Sequence, residues 1–355
     1  MNDKLTRLID SSTSLLKDLI RTPSFSREEN GTAELLCHFL KQQGVEFFRY
    51  KNNVWAYNKF KDDKKPCILL NSHHDTVKPN AGYTKDPFDA ITEDGKLFGL
   101  GSNDAGGCLV SLISAFLYFY EQKDLAYNIC ILASAEEEVS GKNGIEEALK
   151  HIGDMSFAIV GEPTLLNMAV AEKGLMVLDC TAEGSSGHAA REEGENAIYK
   201  AIDAVEWFQN FKFPKESLHL GPVKMSVTMI QAGTQHNVVP DVCSFVVDVR
   251  TTDAYTNTEV LTIIKEHVHV EVVPRSTRLN PSAIDLVHPI IQSGLALGAQ
   301  TYGSPTMSDQ ALISIPSVKV GPGDSARSHT ADEYINLHEI ADGVKFYIEL
   351  LRKIL

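Results

Sequence analysis

A histidine and an aspartate, separated by one residue, follow a short apolar run. Cys67 to Asn71 predicts a buried strand that runs directly into Ser72-His73-His74-Asp75. Because side chains alternate along a strand, His73 and Asp75 point to one face and His74 to the other. An imidazole beside a carboxylate suits a metal site, where the carboxylate accepts the second ring N–H or joins the coordination. A His–Asp pair that only satisfies itself is the structural alternative.

A glycine-rich loop carries the next candidate, Asp104, within the sequence GLGSNDAGG at residues 99–107. A dinucleotide-binding fingerprint needs a third glycine where Asp104 stands, and a Walker loop needs a Lys-Ser/Thr pair that is missing. The carboxylate would also repel a phosphate. Flanking glycines instead allow a tight loop that presents Asp104 as a ligand bridging two ions, with a plain structural turn as the alternative.

Two more apolar strands end on acidic residues. Asn128 to Ser134 leads to Glu136-Glu137-Glu138, and Phe157 to Val160 leads to Gly161-Glu162-Pro163. Such an acidic turn is commonly only solvated, but these strands deliver it to the same edge as His73. Strand alternation is expected to aim neighbouring glutamates differently, so that one binds a metal while the next faces the substrate.

The candidate ligands are two histidines and three carboxylates: His73, Asp104, Glu138, Glu162 and His329. This mixed nitrogen and oxygen set suits zinc, with cobalt or manganese possible. His329 lies in a Gly/Pro-rich loop, where a lone histidine is usually solvated, so its role depends on the others. Two ions sharing Asp104 would leave room for a water whose pKa they lower toward about 7. Glu137, left uncoordinated, suits a general base that passes the proton to a leaving nitrogen.

The elements that must position these residues alternate between strand and helix. Amphipathic helices are predicted from Leu5 to Ile20 and from Glu28 to Gln43, and an apolar helix from Gly107 to about Tyr120. Strands alternating with helices predict an α/β layered domain. In such sheets ligands bind beyond the carboxyl ends of the strands, where three strands here end on candidate ligands.

The pattern changes near Lys173. Long strands and two helices then predict a small inserted α+β sandwich, with these elements: strands 175–183, 223–231, 243–250 and 268–273, helices 195–210 and 256–266. Helices 284–297 and 337–355 and a strand at 317–320 would complete the first domain. We therefore expect a discontinuous metal-binding domain of residues 1–172 and 283–355, with residues 173–282 inserted.

Composition sets the remaining bounds. The chain has 355 residues and a formal net charge of −14, which disfavours nucleic-acid and anionic-membrane binding. Its six cysteines include no Cys-x-x-Cys pair. It contains no apolar segment long enough to span a membrane, and its N-terminus has no signal-peptide core. These features predict a cytoplasmic enzyme.

The sequence resembles a family of co-catalytic zinc amidohydrolases that includes acetylornithine deacetylase, succinyl-diaminopimelate desuccinylase and carboxypeptidase G. The matching segments follow the family order along almost the whole chain: SHHDTV, DPFDAITEDGKLFGLGSNDAGG, SAEEEVSG, VGEPT, EGSSGHAA, QHNVVPDVCSFVVDVR and GPGDSARSHTADEYI. The resemblance implies a zinc-peptidase-like α/β/α catalytic domain with an inserted lid, residues 173–282, through which such enzymes commonly form homodimers. It also implies two zinc ions per subunit.

The resemblance further implies individual roles. One zinc would be held by His73, Asp104 and Glu162, and the other by Asp104, Glu138 and His329. Asp75 would orient His73, and Glu137 would be the acid/base. In the lid, His188 would stabilise the oxyanion, often in the partner subunit's site, and Asn237 and Arg250 would bind the substrate carboxylate. Read without the family, these last three could equally be a strand connection, a turn cap and a surface residue.

Three departures from the family pattern bear on the substrate. Leu100 replaces an arginine, Glu136 replaces an aspartate, and Ala105-Gly106 replaces a pair with lysine. None removes a ligand or the base, but they weaken any transfer of substrate identity. The resemblance favours deacylation of an N-acyl amino acid, with N-acetylornithine, a precursor in arginine biosynthesis, as the first candidate. Succinyl-diaminopimelate, succinylornithine, an acyl-citrulline or a small dipeptide are alternatives. So are a nucleotide-binding enzyme and a metal-stabilised binding protein without activity.

Overall fold

The computed structural model describes residues 3–191 and 193–355. The α-helices are α1 Asp3–Ile20, α2 Asn30–Gln42, α3 Gly107–Phe119, α4 Ile145–Ala148, α5 Ala197–Asn210, α6 Asn257–His267, α7 Pro289–Leu295 and α8 Leu337–Arg352. The first strands are β1 Phe47–Tyr50, β2 Asn53–Tyr57, β3 Cys67–His73, β4 Ile91–Glu93, β5 Lys96–Phe98, β6 Asn128–Ser134, β7 Phe157–Val160, β8 Met168–Glu172 and β9 Gly174–Glu183. The others are β10 Gly187–His188, β11 Lys224–Ala232, β12 Val238–Val239, β13 Val242–Thr251, β14 Glu271–Pro274, β15 Ser282–Ala283, β16 Thr301–Ser304, β17 Ser317–Lys319 and β18 Tyr334–Asn336.

The chain divides into two compact units. The first comprises Met1–Val170, Ala283–Tyr302 and Ser308–Leu355, and the second comprises Ala171–Ser282 and Gly303–Met307. The first unit is built on a mixed sheet with the strand order β1-β2-β6-β3-β7-β17-β8-β15, and β16 pairs with β8. Its central strands β6, β3, β7 and β17 are parallel neighbours.

The parallel strands are buried on both faces, as their continuous apolar sequences indicate. Ile68 and Leu70 of β3 join the large core that includes residues of α1, α3 and α8. Leu69, on the opposite face, joins a smaller core with Ile145 of α4. Helix α3 is apolar on nearly all sides and most of its residues are buried, so it lies inside this layer. The predicted α/β fold class is confirmed.

The second unit contains an antiparallel sheet with the order β11-β13-β9-β14. Residues of β9 alternate between buried and part-exposed, so one face of the sheet is covered. Its core includes Ala201 and Phe208 from α5 and Val260 and Ile264 from α6. Two helices on one antiparallel sheet form the predicted α+β sandwich.

Some predicted boundaries were wrong. Helix α7 begins at Pro289 rather than at Ile284, because the ring of proline lacks an N–H and suits the first helical position. The ring nitrogen Nδ1 of His288 caps this helix by accepting from the Ile290 N–H at 3.3 Å. Strand β14 begins at Glu271 because α6 continues to His267. Within the described residues, no helix has both the length and the apolarity to cross a membrane.

Candidate metal centre

The candidate ligands meet because three parallel strands end side by side. Strand β3 lies between β6 and β7, with His73 opposite Ser134 and Asn71 opposite Val160. The turn after β6 carries Glu137 and Glu138, and the turn after β7 carries Glu162. Carboxylates from both neighbours therefore flank His73 at the carboxyl edge of the sheet, where α/β proteins bind their ligands.

The ring of His73 directs one nitrogen at three carboxylates. Its Nε2 lies 3.3 Å from Oδ1 of Asp104, 3.7 Å from Oε1 of Glu162 and 4.0 Å from Oε2 of Glu137. Its Nδ1 donates to the backbone oxygen of Asp75 at 3.0 Å and lies 3.5 Å from the Asp75 carboxylate. Because a carbonyl oxygen only accepts, the proton of a neutral ring is on Nδ1 and the Nε2 lone pair faces the cluster.

The second histidine faces the other side of Asp104. Nε2 of His329 lies 3.0 Å from Oε2 of Glu138 and 3.6 Å from Oδ2 of Asp104. The two oxygens of Asp104 thus approach different histidines, each of which has a second carboxylate beside it. This arrangement matches a carboxylate shared between two cation sites.

Both the donor types and their spacing fit a divalent cation. Zinc bonds of about 2.0–2.1 Å in a tetrahedral site place ligand atoms about 3.3 Å apart, close to the 3.3 Å and 3.6 Å separations of the two histidines from Asp104. One atom each from His73, Asp104 and Glu138 also lie within 4.8 Å of one another. Nitrogen and carboxylate donors without a thiolate suit zinc, cobalt or manganese.

The electrostatics of the cluster also call for a cation. Burial raises the pKa of Glu162 to about 8, and the Asp104 charge adds to this while His73 opposes it. Burial raises the pKa of Glu138, with Asp104 again adding to it. Burial alone would lower the pKa of His73, but the charge of Glu137 and the hydrogen bond to Asp104 outweigh it and raise that pKa. Such crowded, buried carboxylates favour a positive partner.

Glu137 stands beside the cluster without a close contact to either histidine. Its nearest approach to a ring nitrogen is the 4.0 Å separation from Nε2 of His73. Burial raises its pKa well above the ordinary value, and the charge of Glu162 contributes, while His73 lowers it. A partly accessible carboxylate of this kind can accept a proton from a water in the site.

The three glutamates diverge for a different reason than predicted. Strand β6 ends at Ser134, and Glu137–Val139 forms a single 3-10 turn, so strand alternation does not apply. Glu136 adopts a left-handed φ of 55°. Its carboxylate accepts from Nδ2 of Asn143 at 2.9 Å, away from the cluster. The turn geometry therefore separates Glu136 from its two neighbours.

Two buried carboxylates hold this turn through its backbone. The N–H of Glu136 donates to Oε1 of Glu29 at 3.2 Å. The N–H groups of Glu137 and Glu138 donate to Oδ1 and Oδ2 of Asp75 at 3.0 Å and 3.2 Å. Sequence reasoning missed Glu29, because a glutamate just before a helix resembles an ordinary solvated first-turn residue.

Two other buried acids near the cluster were also missed. Glu333 accepts the backbone N–H groups of the turn that carries Asp104. Burial raises its pKa to about 8, with the Asp104 charge adding to the effect. Oδ2 of Asp309 accepts from Asn71 at 2.8 Å and from Ser134 at 2.5 Å, which joins β3 to β6 just before their ligand-bearing ends. Burial raises the pKa of Asp309 to about 6. The motif GPGDSARSHTADEYI contains Glu333, but nothing in the sequence marks Asp309.

The three predicted lid residues lie in the second unit. His188 is exposed on β10 and pairs with Val238 of β12. Asn237 is exposed, and its backbone oxygen accepts from the Ala189 N–H at 3.0 Å. Arg250 binds the carboxylate of Asp248 through Nε at 2.8 Å and through a second nitrogen at 3.1 Å. Their roles toward a substrate stay predictions.

Comparisons with known proteins identify the family. The profile of Peptidase family M20/M25/M40 matches residues 69–353. Acetylornithine deacetylase of Proteus mirabilis is 27% identical over 368 residues, covering 95% of this chain and 94% of the relative. Succinyl-diaminopimelate desuccinylase of Acidiphilium cryptum is 26% identical over 267 residues, covering 72% and 71%.

A solved structure shares the fold. It is a Bacillus subtilis protein described as a dinuclear metal-binding peptidase of the M20 family, with a TM-score of 0.73, 17% identity and 98% coverage of both chains. The match to the family profile confirms the family resemblance seen in the sequence. The chain belongs to Peptidase family M20/M25/M40 and is a metal-dependent hydrolase of amide bonds.

Proposed function

We propose that this protein is a dinuclear zinc deacylase of N-acyl amino acids, with N-acetyl-L-ornithine as its first candidate substrate. The observation that carries the proposal is the position of Asp104. Its two oxygens lie 3.3 Å from His73 and 3.6 Å from His329, with Glu137 uncoordinated beside them.

The five candidate ligands divide into two sets that share Asp104. His73 and Glu162 would complete one site, and Glu138 and His329 the other, in line with their separations of 3.7 Å and 3.0 Å. Two zinc ions bound there would polarise the substrate carbonyl and lower the pKa of a water. Cobalt or manganese would suit the same donors.

The protein's own residues would manage the proton. Glu137 takes the proton of the attacking water and delivers it to the amide nitrogen as that nitrogen leaves. Asp75 keeps the proton of His73 on Nδ1, because Nδ1 donates to the backbone oxygen of Asp75 at 3.0 Å. The products are a carboxylic acid and a free amine, so neither a redox partner nor a nucleotide is needed.

The substrate class rests on the relatives. Proteins named acetylornithine deacetylase and succinyl-diaminopimelate desuccinylase match at 27% and 26% identity. The second name supports the succinylated alternatives, succinyl-diaminopimelate and succinylornithine; an acyl-citrulline is a further alternative. A small dipeptidase is the remaining enzymatic alternative. Arginine biosynthesis is the pathway if N-acetylornithine is the substrate.

The predicted insert, residues 173–282, would act as the lid and dimer interface. His188 would stabilise the oxyanion, in its own or the partner subunit's site, and Asn237 and Arg250 would bind the substrate carboxylate. Arg250 contacts Asp248 through Nε and one terminal nitrogen, at 2.8 Å and 3.1 Å, and its remaining N–H groups would bind the substrate carboxylate.

A homodimer is supported by an open edge of the second unit. Strand β11 ends the sheet order β11-β13-β9-β14. Met229 and Ile230 on β11 are 56% and 54% exposed, and Tyr199 and Ile202 on α5 are 68% and 50% exposed. An apolar edge strand in a single chain invites pairing with another strand, and a second copy supplies one. Light scattering should give twice the chain mass.

A substitution tests that interface. Ile230→Glu should give a monomer, because a buried charge without a partner opposes association. Leu218→Glu is the matched control, since Leu218 is 89% exposed outside β11 and α5, and it should leave the dimer intact. A dimeric Ile230→Glu protein would place the interface elsewhere.

The activity is tested with one panel of substrates. Purified protein reconstituted with zinc is assayed on acetyl and succinyl derivatives of ornithine, citrulline, lysine and diaminopimelate, and on small dipeptides. We expect hydrolysis, with acetylornithine preferred, and its loss on chelation. If another compound in the panel is hydrolysed in preference, that compound replaces N-acetylornithine as the proposed substrate. If no compound is hydrolysed, a metal-stabilised binding protein is favoured.

A further inference from the structure

The backbone N–H groups of the turn that carries Asp104 donate hydrogen bonds to one buried side chain, Glu333. Glu333 lies four residues after His329. We propose that Glu333 is a positioning residue that fixes the bridging Asp104 relative to His329, so that one carboxylate can serve two cations. This inference rests on the metal centre proposed above.

Glu333 uses both carboxylate oxygens to hold the turn. Its Oε1 accepts the N–H of Asn103 at 2.8 Å and that of Asp104 at 2.9 Å, and its Oε2 accepts the N–H of Gly101 at 3.0 Å. Its backbone oxygen accepts the N–H of Gly99 at 2.9 Å. An ionised carboxylate acts only as a hydrogen-bond acceptor, and its two oxygens can accept all three of these backbone N–H groups. Glutamine at this position would replace one acceptor oxygen by a donor.

Glu333 is the acceptor for the N–H groups of Gly101, Asn103 and Asp104 in this turn. It lies between β5 and α3, and Ser102 and Asn103 are fully buried. Gly101 has a φ of 74°, and a Cβ there would lie 2.6 Å from Cγ2 of Thr76. A buried N–H that loses its acceptor costs about 1–3 kcal/mol. The Asp104 turn therefore depends on Glu333 for its conformation.

The same contacts join Asp104 to the loop that carries His329. Asn103 donates from Nδ2 to the backbone oxygen of Asp324 at 3.0 Å and accepts the Asp324 N–H at 3.2 Å. Asp324 precedes His329 in this loop and Glu333 follows it, so the Asp104 turn is tied to both sides. His329 itself is more than half exposed and has a φ of 58°. Together with the 3.0 Å contact of the His329 ring with Glu138, these ties hold His329 at 3.6 Å from Asp104.

The proposal predicts a specific defect for Glu333→Gln. The amide would face a backbone N–H, so Asp104 would move relative to both histidines. Because Asp104 is shared, affinity for both ions should fall, by about 10–100-fold as is usual when a residue supporting a metal ligand is altered. Substrate contacts are not altered directly, so metal binding, not KM, should report the change.

The test uses the full chain stripped of metal. Zinc is titrated by calorimetry, and cobalt is titrated while its visible absorption is recorded, because the d–d bands report ligand geometry. Glu259→Ala is the control. Glu259 caps α6 in the second unit by accepting the Thr256 N–H at 2.7 Å, so its loss destabilises a helix without touching the Asp104 turn. It should lower Tm and leave both metal affinities within about twofold.

The outcomes separate this inference from the proposed function. Wild-type protein that does not bind two ions would overturn the metal centre itself. Wild-type protein with two ions, and Glu333→Gln with the same affinities and cobalt spectrum, would overturn only the role of Glu333. If Glu333→Gln does not fold, Glu333→Asp keeps the charge but withdraws it by about 1.5 Å. That variant should bind metal more weakly than wild type, and unchanged binding would contradict the proposal.

Discussion

Oδ1 of Asp75 accepts a hydrogen bond from the backbone N–H of Glu137 at 3.0 Å. Asp75, which follows His73 and His74 in the sequence, thus also fixes the backbone of the proposed general base, Glu137. Its other oxygen accepts the N–H of Glu138 at 3.2 Å. One buried carboxylate therefore contacts His73, the proposed base Glu137 and the proposed ligand Glu138.

This relationship predicts a compound defect for Asp75→Asn. An asparagine amide would oppose one of the two backbone N–H groups, so Glu137 or Glu138 would shift. We expect zinc affinity and kcat each to fall by about 10–100-fold. Calorimetry and steady-state kinetics measure the two effects. Ser26→Ala removes only the hydroxyl that donates to Oδ2 at 2.7 Å, and it should cost much less; equal effects would show that the backbone contacts are unimportant.

Glu137→Gln should separate chemistry from metal binding. Glu137 approaches the nearest ring nitrogen only to 4.0 Å, so the variant should keep both ions. Loss of a general base should lower kcat by about 10²–10⁴-fold. Elemental analysis of metal content and single-turnover kinetics provide the readouts. Retained turnover with full metal content would remove Glu137 from its proposed role.

Asp309→Ala should weaken the support beneath the cluster. Asp309 accepts from Asn71 at 2.8 Å and from Ser134 at 2.5 Å, and it is 3% exposed. Its removal leaves two buried donors unpaired, which costs about 1–3 kcal/mol for each donor. A urea denaturation series should show a lower free energy of unfolding. A stability unchanged from wild type would mean that water replaces the carboxylate.

The metal-free protein should become less stable as pH rises. Burial raises the pKa of Glu162 to about 8, from an ordinary value of 4.5, and that of Asp309 to about 6, from an ordinary value of 3.8. A carboxyl with a raised folded-state pKa stabilises fully below its unfolded pKa, and this contribution is lost as pH rises through about 8. Asp75 and Asp104 have pKa values below their ordinary value of 3.8, so they change the pH dependence of stability only in more acidic solution.

Thermal unfolding between about pH 5 and about pH 9 measures this dependence. The buried His74, with its pKa lowered to about 4, opposes the carboxyls below its ordinary value of 6.5. Above that value we expect Tm of the chelated protein to fall, and added zinc to reduce the fall because a cation stabilises ionised carboxylates. Glu162→Gln should flatten the profile of the chelated protein. A Tm that rises with pH above 6.5 in the absence of metal would show that these carboxyls are ionised at neutral pH.

Much of the site could be predicted because it follows strand ends. The apolar strands that precede His73, Glu138 and Glu162 are parallel neighbours in the sheet. Because parallel strands end at the same edge of a sheet, the residues that follow them lie close together. The glycine-rich sequence around Asp104 likewise indicated a tight loop. These features depend on local sequence, so they are visible without a structure.

The supporting carboxylates could not be predicted in the same way. Glu29, Asp309 and Glu333 are each within 3% of complete burial, but each is a single acidic residue in a segment that could be solvated. Their roles depend on contacts with residues far away in sequence; Glu29 and Glu136, for example, are separated by 107 residue numbers. The divergence of Glu136 from Glu137 was equally hidden, because it depends on a turn and not on strand periodicity.

The central claim is that two cations share Asp104, and metal stoichiometry of matched variants tests it most directly. Elemental analysis and anomalous diffraction of zinc-loaded protein should find two ions per chain. His73→Ala and His329→Ala should each lose a different ion, while Asp104→Ala should lose tight binding of both. A single ion in the wild-type protein, or two tightly bound ions in Asp104→Ala, would contradict the account.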